Sequence, residues 1–251
     1  GDIAAIDPPF WQSAGDFDTM NLIHGKLIDF KGGEEWEWEL VAAESIEQID
    51  NTHTRFKLRP GLMWTNGFGE VTAEDVKFSF ERYNDPELDA PNGPDWSTLS
   101  HVEVVDKLTG IIVTKEPFAP MWWSVLPYSA GYIMCKRAIE EAGGTFTIDP
   151  PATCGPYKIE SWQPKERLTL VRHDGWTGPQ PDYERIVLVP IGDPKTAEKG
   201  FLAGELDFTH VSESSVPALL AEPPKDATLV VRASLDYFWL GINQNHPKYT
   251  D

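Results

Sequence analysis

The segment that most restricts the fold is a helix with clear start signals, preceded by a glycine-rich turn. Thr72 and Asp75 have the spacing of a capping box, and Val71 and Val76 stand where a hydrophobic staple needs apolar side chains. Val76 and Phe80 recur at helical spacing, which places them on one face. The sequence therefore predicts a helix over residues 73–83 whose apolar face is part of a core.

Several short runs elsewhere predict strands. Residues 34–40 alternate strictly, with Trp36 and Trp38 on one face and glutamates on the other, as a half-buried strand requires. The same tryptophans could form a platform on which a sugar stacks, but the alternation favours the strand. Polar turns between the runs favour a mostly antiparallel or mixed sheet. Further strands are predicted at residues 54–58, 102–105, 110–113, 155–162, 167–173, 184–191, 204–208, 229–232 and 237–243, further helices after Asp18 or Thr19 and at 136–142 and 197–203, and a buried apolar segment at 117–127 with Trp122 and Trp123.

Composition excludes some classes of partner. The 251 residues carry a formal net charge of −19, and such a field repels phosphate backbones, so we expect no nucleic-acid partner. No run of about 18 apolar residues occurs, so no transmembrane helix is expected. The first residues are polar and lack a signal peptide, as in a trimmed N-terminus or a cytosolic protein.

Motifs of catalysis and of cofactor binding do not occur. The sequence contains no GxSxG, HExxH, P-loop or dinucleotide pattern, and its six histidines are scattered. A carboxylate pair at glycosidase separation could be assembled by chance from 40 acidic residues, so a secreted carbohydrate-active enzyme is only the competing hypothesis. These observations favour a binding protein that is not an enzyme and needs no cofactor or metal.

Two cysteines, Cys135 and Cys154, are too few for a zinc site. A disulfide between them would close a loop of about twenty residues and contribute roughly 3 kcal/mol in an oxidising compartment. The alternative is two buried thiols. We predict the disulfide.

The helix and its preceding turn belong to a longer pattern. The stretch KLRPGLMWTNGFGEVTAEDVKFSFER resembles the signature of the bacterial extracellular solute-binding proteins of the dipeptide, oligopeptide and nickel class, family 5. Five further blocks, IDPPF, LIHGKLIDF, CGPYKIESWQPKERLTLVRHDGW, IVLVPIGDPKTAEKGFLAGELDF and YFWLGINQNHP, resemble other segments of that family. All occur in the family's order across nearly the whole chain.

The resemblance implies an architecture. It implies a periplasmic binding protein type II-like lobe with a mixed β-sheet, formed by residues 1–31 and 149–251, and an inserted α/β subdomain at residues 32–148. A second lobe would follow Asp251 and is absent from this chain. Trp64 would anchor its turn to the helix beyond it, away from the ligand. Cys154 would lie where the chain crosses between subdomains, and a disulfide to Cys135 could link that crossing to the segment that precedes it.

The resemblance also implies a function and partners. These proteins are monomeric receptors of ABC importers, so we expect a small solute, a membrane permease as partner, and a location in the periplasm or outside the cell as a tethered lipoprotein. A peptide or related amino-acid conjugate is the favoured ligand, with an oligosaccharide or a nickel chelate as alternatives. The sequence does not distinguish a receptor that serves import from one that presents the solute to a chemoreceptor.

By the same resemblance, the loop after the Asp7-Pro8 bend lines the cleft and can pair its backbone with an extended peptide. The end of the strand at residues 204–208, the strand at 237–243 and the loop near residue 96 would also face it. The charged anchors for peptide termini would lie in the absent lobe. The candidate ligand-binding residues are Gln12, Ser13, Ala14, Gly15, Trp96, Thr209, His210, Tyr237, Phe238 and Trp239.

Overall fold

The computed structural model describes residues 2–32 and 36–231, together with residues 241 and 248. The chain divides into two compact units, Gly1–Gly192 and Asp193–Asp251. None of the helices in the described ranges combines the length and apolar character that a transmembrane helix needs. The strand predicted at residues 237–243 lies outside the described residues, except for Gly241.

The first unit contains three α-helices and eleven strands within its described residues, and the described part of the second contributes two α-helices. In chain order they are α1 (Ala14–Ile23), β1 (Gly25–Lys26), β2 (Ile28–Phe30), β3 (Trp38–Leu40), β4 (Ala43–Gln48), β5 (His53–Leu58), α2 (Ala73–Arg82), β6 (Leu99–Val104), β7 (Thr109–Thr114), β8 (Tyr132–Ile133), α3 (Lys136–Glu141), β9 (Tyr157–Gln163), β10 (Arg167–Arg172), β11 (Arg185–Leu188), α4 (Pro194–Leu202) and α5 (Val216–Ala221).

The largest sheet has the order β4-β5-β7-β6, with every neighbouring pair antiparallel. The strands predicted at residues 102–105 and 110–113 are confirmed as β6 and β7, which pair as a hairpin. Helix α2 also begins as predicted, because Thr72 and Asp75 complete the capping box. Val76 and Phe80 on its inner face are fully buried. Trp64 is buried too, and its Nε1 donates to Asp75 Oδ2 at 3.4 Å, so this indole anchors the turn to the helix.

A smaller antiparallel sheet, β11-β10-β9, forms a separate hydrophobic cluster with α1. Because strand side chains alternate between faces, Leu168 and Leu170 of β10 bury on the same side. The main cluster instead surrounds α2 and the larger sheet. The buried members of the smaller cluster are Ile3, Ile6, Met20, Ile23, Tyr132, Tyr157, Leu168 and Leu170.

The segment before β9 crosses close to the end of α1. The N–H of Gly155 donates to the carbonyl of Ile23 at 2.8 Å. A Cβ at position 155 would lie 2.4 Å from the carbonyl carbon of Ile23, so only glycine fits this approach. Thr153 and Thr65 exchange two hydrogen bonds of 2.9 Å nearby, which fastens the glycine-rich turn to the same crossing.

Several sequence predictions need correction. Helix α1 begins after Ser13 rather than after Asp18 or Thr19, because Ser13 Oγ accepts from the N–H of Asp16 at 3.1 Å. Residues 204–208 are a turn and irregular chain instead of a strand. Trp123 is 47% exposed, although its neighbours Met121 and Val125 are buried as expected.

The strand predicted at residues 34–40 is described only as β3, and residues 33–35 lie outside the described chain. Trp38 and Leu40 are half-buried there while Glu39 is exposed, which agrees with the alternation. Trp36 precedes the strand and is 55% exposed. Trp38 stacks on Trp122 with ring centroids 5.6 Å apart.

The predicted disulfide is wrong in this structure. Cys135 and Cys154 are both free and buried among the apolar side chains of the main cluster. Burial raises the pKa of Cys135 to about 11 and raises that of Cys154 further. Packing therefore holds the two thiols in place without a covalent link.

Candidate functional site

The loop at residues 11–15, which begins α1, is held by one buried carboxylate. Asp16 Oδ1 accepts from the N–H groups of Ala4 and Ala5 at 2.6 and 3.0 Å. Its Oδ2 accepts from the N–H groups of Gln12 and Ser13 at 3.2 and 3.1 Å. The acceptor in each of these four hydrogen bonds is a carboxylate oxygen, which makes them stronger than bonds to a neutral acceptor. Asp16 thus fixes the loop to the first residues of the chain.

Residues far along the chain hold the loop from its other side. The side-chain amide of Asn92 donates to the carbonyl of Trp11 at 3.1 Å, and its backbone N–H donates to Pro9 at 3.2 Å. The indole N–H of Trp11 donates to the carbonyl of Ser129 at 3.3 Å. The loop is therefore a rigid feature with a defined backbone direction.

The loop presents two free backbone donors. In the described part of the chain, the N–H groups of Ala14 and Gly15 make no hydrogen bond. They belong to the first turn of a ten-residue helix, where unpaired N–H groups and the helix dipole favour a carbonyl or carboxylate oxygen. Gln12 adds an exposed side chain, whereas the hydroxyl of Ser13 is occupied by the cap.

An aromatic surface adjoins the donors. The rings of Trp11 and Phe17 are 5.3 Å apart, and those of Phe17 and Tyr128 are 4.8 Å apart. Tyr128 is 46% exposed, and Trp11 and Phe17 are half-buried. Free donors beside an accessible aromatic surface are the combination that fixes the orientation of a small organic ligand.

One carboxylate near this surface is partly removed from water. Asp95 is half-buried and contacts the hydroxyl of Ser129, the residue whose carbonyl binds Trp11. Burial raises the pKa of Asp95 above that of an ordinary aspartate. The charged form of this side chain therefore lacks the solvation that it would have in water.

Of the other predicted site residues, Trp96 is a correction. Its ring is fully buried, stacks on Phe80 at 4.7 Å and donates to the carbonyl of Ala130 at 2.9 Å. No surface of this indole remains for a ligand. Trp96 instead ends the turn that begins at Asn92, whose side chain binds the loop.

The second unit contains two further candidates. Thr209 is half-buried and His210 is exposed, in irregular chain after α4. The rings of Phe208 and His210 lie 5.7 Å apart. Tyr237, Phe238 and Trp239 lie outside the described residues, so their roles stay predictions.

Of the residues that hold the loop at 11–15 in place, the sequence prediction named only Ser13, and it named Ser13 as a ligand contact and not as a cap. Ser13 and Asp16 have capping-box spacing, so this signal was available in the sequence. Asn92, Phe17 and Tyr128 carry no local signal, because their role depends on contacts across the fold. Within residues 2–32 and 36–231 no three His, Cys, Asp or Glu side chains group as metal ligands would.

A family profile and two curated proteins each match most of this chain. The profile described as bacterial extracellular solute-binding proteins, family 5 Middle, matches residues 37–251. The glutathione-binding protein GsiB of Salmonella paratyphi A is 27% identical over 206 residues, which cover 81% of this chain and 39% of that protein. The probable D,D-dipeptide-binding periplasmic protein DdpA of Escherichia coli is 25% identical over 218 residues, which cover 82% of this chain and 41% of that protein.

Solved structures agree on the fold. The binding protein MoaA of A. tumefaciens R10, in complex with mannopinic acid, superposes with a TM-score of 0.77 at 28% identity. The match covers 88% of this chain and 46% of that one. The chain thus spans about 40% of the length of the curated relatives that it matches.

Proposed function

Because the chain belongs to the bacterial extracellular solute-binding proteins of family 5, we propose that it forms part of a receptor for a peptide or a small amino-acid conjugate. The receptor delivers this solute to the membrane permease of an ABC importer. The observation that carries the proposal is the rigid loop at residues 11–15, with free N–H groups on Ala14 and Gly15 beside the aromatic surface of Trp11, Phe17 and Tyr128.

A second lobe completes the binding cleft in this proposal. Residues 1–31 and 149–251 belong to the first lobe, and residues 32–148 form a subdomain inserted into it. The two hydrophobic clusters support part of this division, since one joins α1 to β9 and β10 and the other is formed mainly by residues 41–139 around α2. Hinge closure of the two lobes then excludes water, and the ligand stabilises the closed form through its greater affinity for it.

The names of the relatives support the choice of ligand. GsiB binds glutathione, DdpA is a probable D,D-dipeptide receptor, and MoaA was solved with mannopinic acid. Such ligands carry carbonyl or carboxylate oxygens that the free N–H groups of α1 can bind. We place the receptor in the periplasm as a monomer without enzymatic activity, with Thr209, His210, Tyr237, Phe238 and Trp239 as further candidates for ligand contact.

A thermal-shift screen of the complete receptor tests the proposal. The panel contains Ala-Ala, Ala-Ala-Ala, glutathione, mannopinic acid, an oligosaccharide mixture and the nickel–histidine chelate. A ligand at about 100 times its Kd adds roughly 2.7 kcal/mol of stability, which raises Tm by several degrees. Stabilisation by a peptide or a conjugate, with no product formed, is expected. Stabilisation only by oligosaccharides or nickel, or turnover of any ligand, contradicts the proposal.

A further inference from the structure

Lys26 of β1 carries its charge into the interior of the fold. Its side chain is 3% exposed, whereas every other lysine in the described ranges is half-buried or exposed. An ammonium has three N–H donors, and each of them has an acceptor here. Lys26 Nζ donates to Asn21 Oδ1 at 2.9 Å and to the carbonyl of Pro127 at 2.8 Å. It also lies 2.9 Å from Asp29 Oδ2, so one ammonium joins α1, β2 and the segment before β8.

The carbonyl that Lys26 binds belongs to a wide helical turn, Val125–Ser129. The N–H groups of Ser129 and Ala130 each donate to a carbonyl five residues back, at 3.1 Å. This spacing is one residue longer than in an α-helix. Carbonyls at the end of a short helical segment need a donor from outside it, and a basic side chain can supply that donor. Lys26 does so for the carbonyl of Pro127.

Tyr128 stands between two carbonyls that distant side chains bind. The carbonyl before it accepts from Lys26, and the carbonyl after it accepts from the indole N–H of Trp11 at 3.3 Å. Tyr128 is 46% exposed, and its ring lies 4.8 Å from that of Phe17 in α1. Both donors come from the same N-terminal segment as Phe17. The backbone on each side of Tyr128 is therefore fixed to the segment against which its ring packs.

We propose that Lys26 is a positioning residue of the ligand site, which holds the ring of Tyr128 against Phe17 through the carbonyl of Pro127. This inference rests on the proposed receptor function, in which the aromatic surface contacts the solute. Lys26 is buried with all three donors in use, so it acts on the solute only through the turn. Loss of its ammonium releases the turn and lets the ring of Tyr128 move away from Phe17, which weakens binding.

A general contribution to stability is the competing role for Lys26. A lysine that only stabilises the fold would leave Kd unchanged in a folded variant, or would change Kd equally whether or not the ring of Tyr128 is present. A positioning role requires that ring, because loss of Lys26 has nothing further to displace once Tyr128 is truncated. The two roles therefore differ in whether the effects of the two residues on Kd are additive.

Calorimetry of the complete receptor with Ala-Ala-Ala, glutathione and mannopinic acid measures this coupling. The variants are Lys26→Met, which keeps the apolar stem and removes the ammonium, Tyr128→Ala, and the two combined. Lys57→Met is the matched control, because Lys57 forms an ion pair of 2.7 Å with Glu44 in which the two side chains are 52% and 48% exposed.

Two further measurements accompany the calorimetry. The nuclear Overhauser effect between the ring protons of Tyr128 and Phe17 reports their contact directly. Thermal unfolding of each variant without a probe establishes that it is folded. If Lys26→Met does not fold, Lys26→Gln takes its place in the same cycle, because its amide satisfies part of the buried acceptor set.

We expect Tyr128→Ala to weaken binding of the probe that the receptor prefers by about 10-fold, as truncation of an aromatic contact does. Lys26→Met should weaken the same probe by about 3- to 10-fold and remove the ring contact with Phe17. When Tyr128 is already alanine, Lys26→Met should change Kd by less than about twofold. Lys57→Met should change neither Kd nor the ring contact.

Other outcomes overturn the inference. An effect of Lys26→Met that persists in full in the Tyr128→Ala receptor, or an unchanged Kd and ring contact in folded Lys26→Met, overturns it but leaves the receptor function standing. An unchanged Kd in Tyr128→Ala removes that ring from the site and overturns the inference with it. Failure of the wild-type receptor to bind any of the three probes contradicts the proposed receptor function itself.

Discussion

Replacing Asp7 by asparagine removes the anion of a buried ion pair that joins the first bend of the chain to α2. Arg82 Nη1 and Nη2 lie 2.5 and 2.7 Å from the two carboxylate oxygens of Asp7, and the side chains of Arg82 and Asp7 are 3% and 0% exposed. Arg82 also donates to the carbonyl of Gly144 at 2.8 Å. The substitution leaves a guanidinium without an anion where water does not reach it.

Loss of one partner from a buried ion pair destabilises a protein by about 3–5 kcal/mol. In a unit of this size each kcal/mol lowers Tm by about 2–4 °C, so the expected decrease is about 6–20 °C. The pair of Arg185 and Glu160 is a matched control, because it has two bonds of 2.7 and 3.0 Å but side chains that are 55% and 41% exposed. Glu160→Gln removes the same charge and should lower stability by about 0–1 kcal/mol.

Urea unfolding at pH 7, followed by tryptophan fluorescence, measures both variants. The m-value should stay unchanged, so that the midpoint reports stability alone. Adding Arg82→Met to the Asp7→Asn variant should recover part of the loss, because it removes the uncompensated charge. Equal losses in Asp7→Asn and Glu160→Gln would refute the argument from burial.

Burial lowers the pKa of His24 from 6.5 to about 4. As the pH falls, the imidazole is therefore protonated in the unfolded chain before it is protonated in the folded protein. The free energy of unfolding should fall by up to about 3 kcal/mol between pH 6.5 and 4. Urea titrations should show a flatter pH profile for His24→Gln, and parallel profiles would contradict this. Cys135 and Cys154 should react with a thiol reagent at pH 8 only after unfolding; rapid reaction of the native protein would argue against their burial. Trp64→Ala should destabilise the first unit by about 3–5 kcal/mol while leaving the ligand Kd unchanged; a weaker Kd in the folded variant would give Trp64 a role in binding.

The elements that the sequence predicted best are those with local causes. Thr72 and Asp75 satisfy the first N–H groups of α2 by themselves, so their spacing alone identifies the start of that helix. The hairpin of β6 and β7 likewise depends on neighbouring apolar runs and a short polar turn. The capping box of Ser13 and Asp16 is equally local, but the sequence prediction named only Asp18 or Thr19 as the cap of this helix.

The features that the sequence did not predict depend on distant contacts. The family resemblance implied that Trp96 faces the cleft, yet its ring stacks on Phe80 and donates to the carbonyl of Ala130. The raised pKa of Asp95 follows from its burial in the fold, and Ser129, which its side chain contacts, lies thirty-four positions away along the chain. Neither residue type nor spacing carries that information.

Amide hydrogen exchange of the complete receptor, measured by NMR with and without a saturating ligand, tests the proposed site most directly. The N–H groups of Ala14 and Gly15 have no acceptor in the described chain, so they should exchange rapidly in the free receptor. Bound ligand should protect both, while the N–H of Phe17, already bonded to Ser13 at 3.0 Å, changes little. Unchanged exchange at Ala14 and Gly15 in a receptor that has demonstrably bound its ligand would contradict the proposed site.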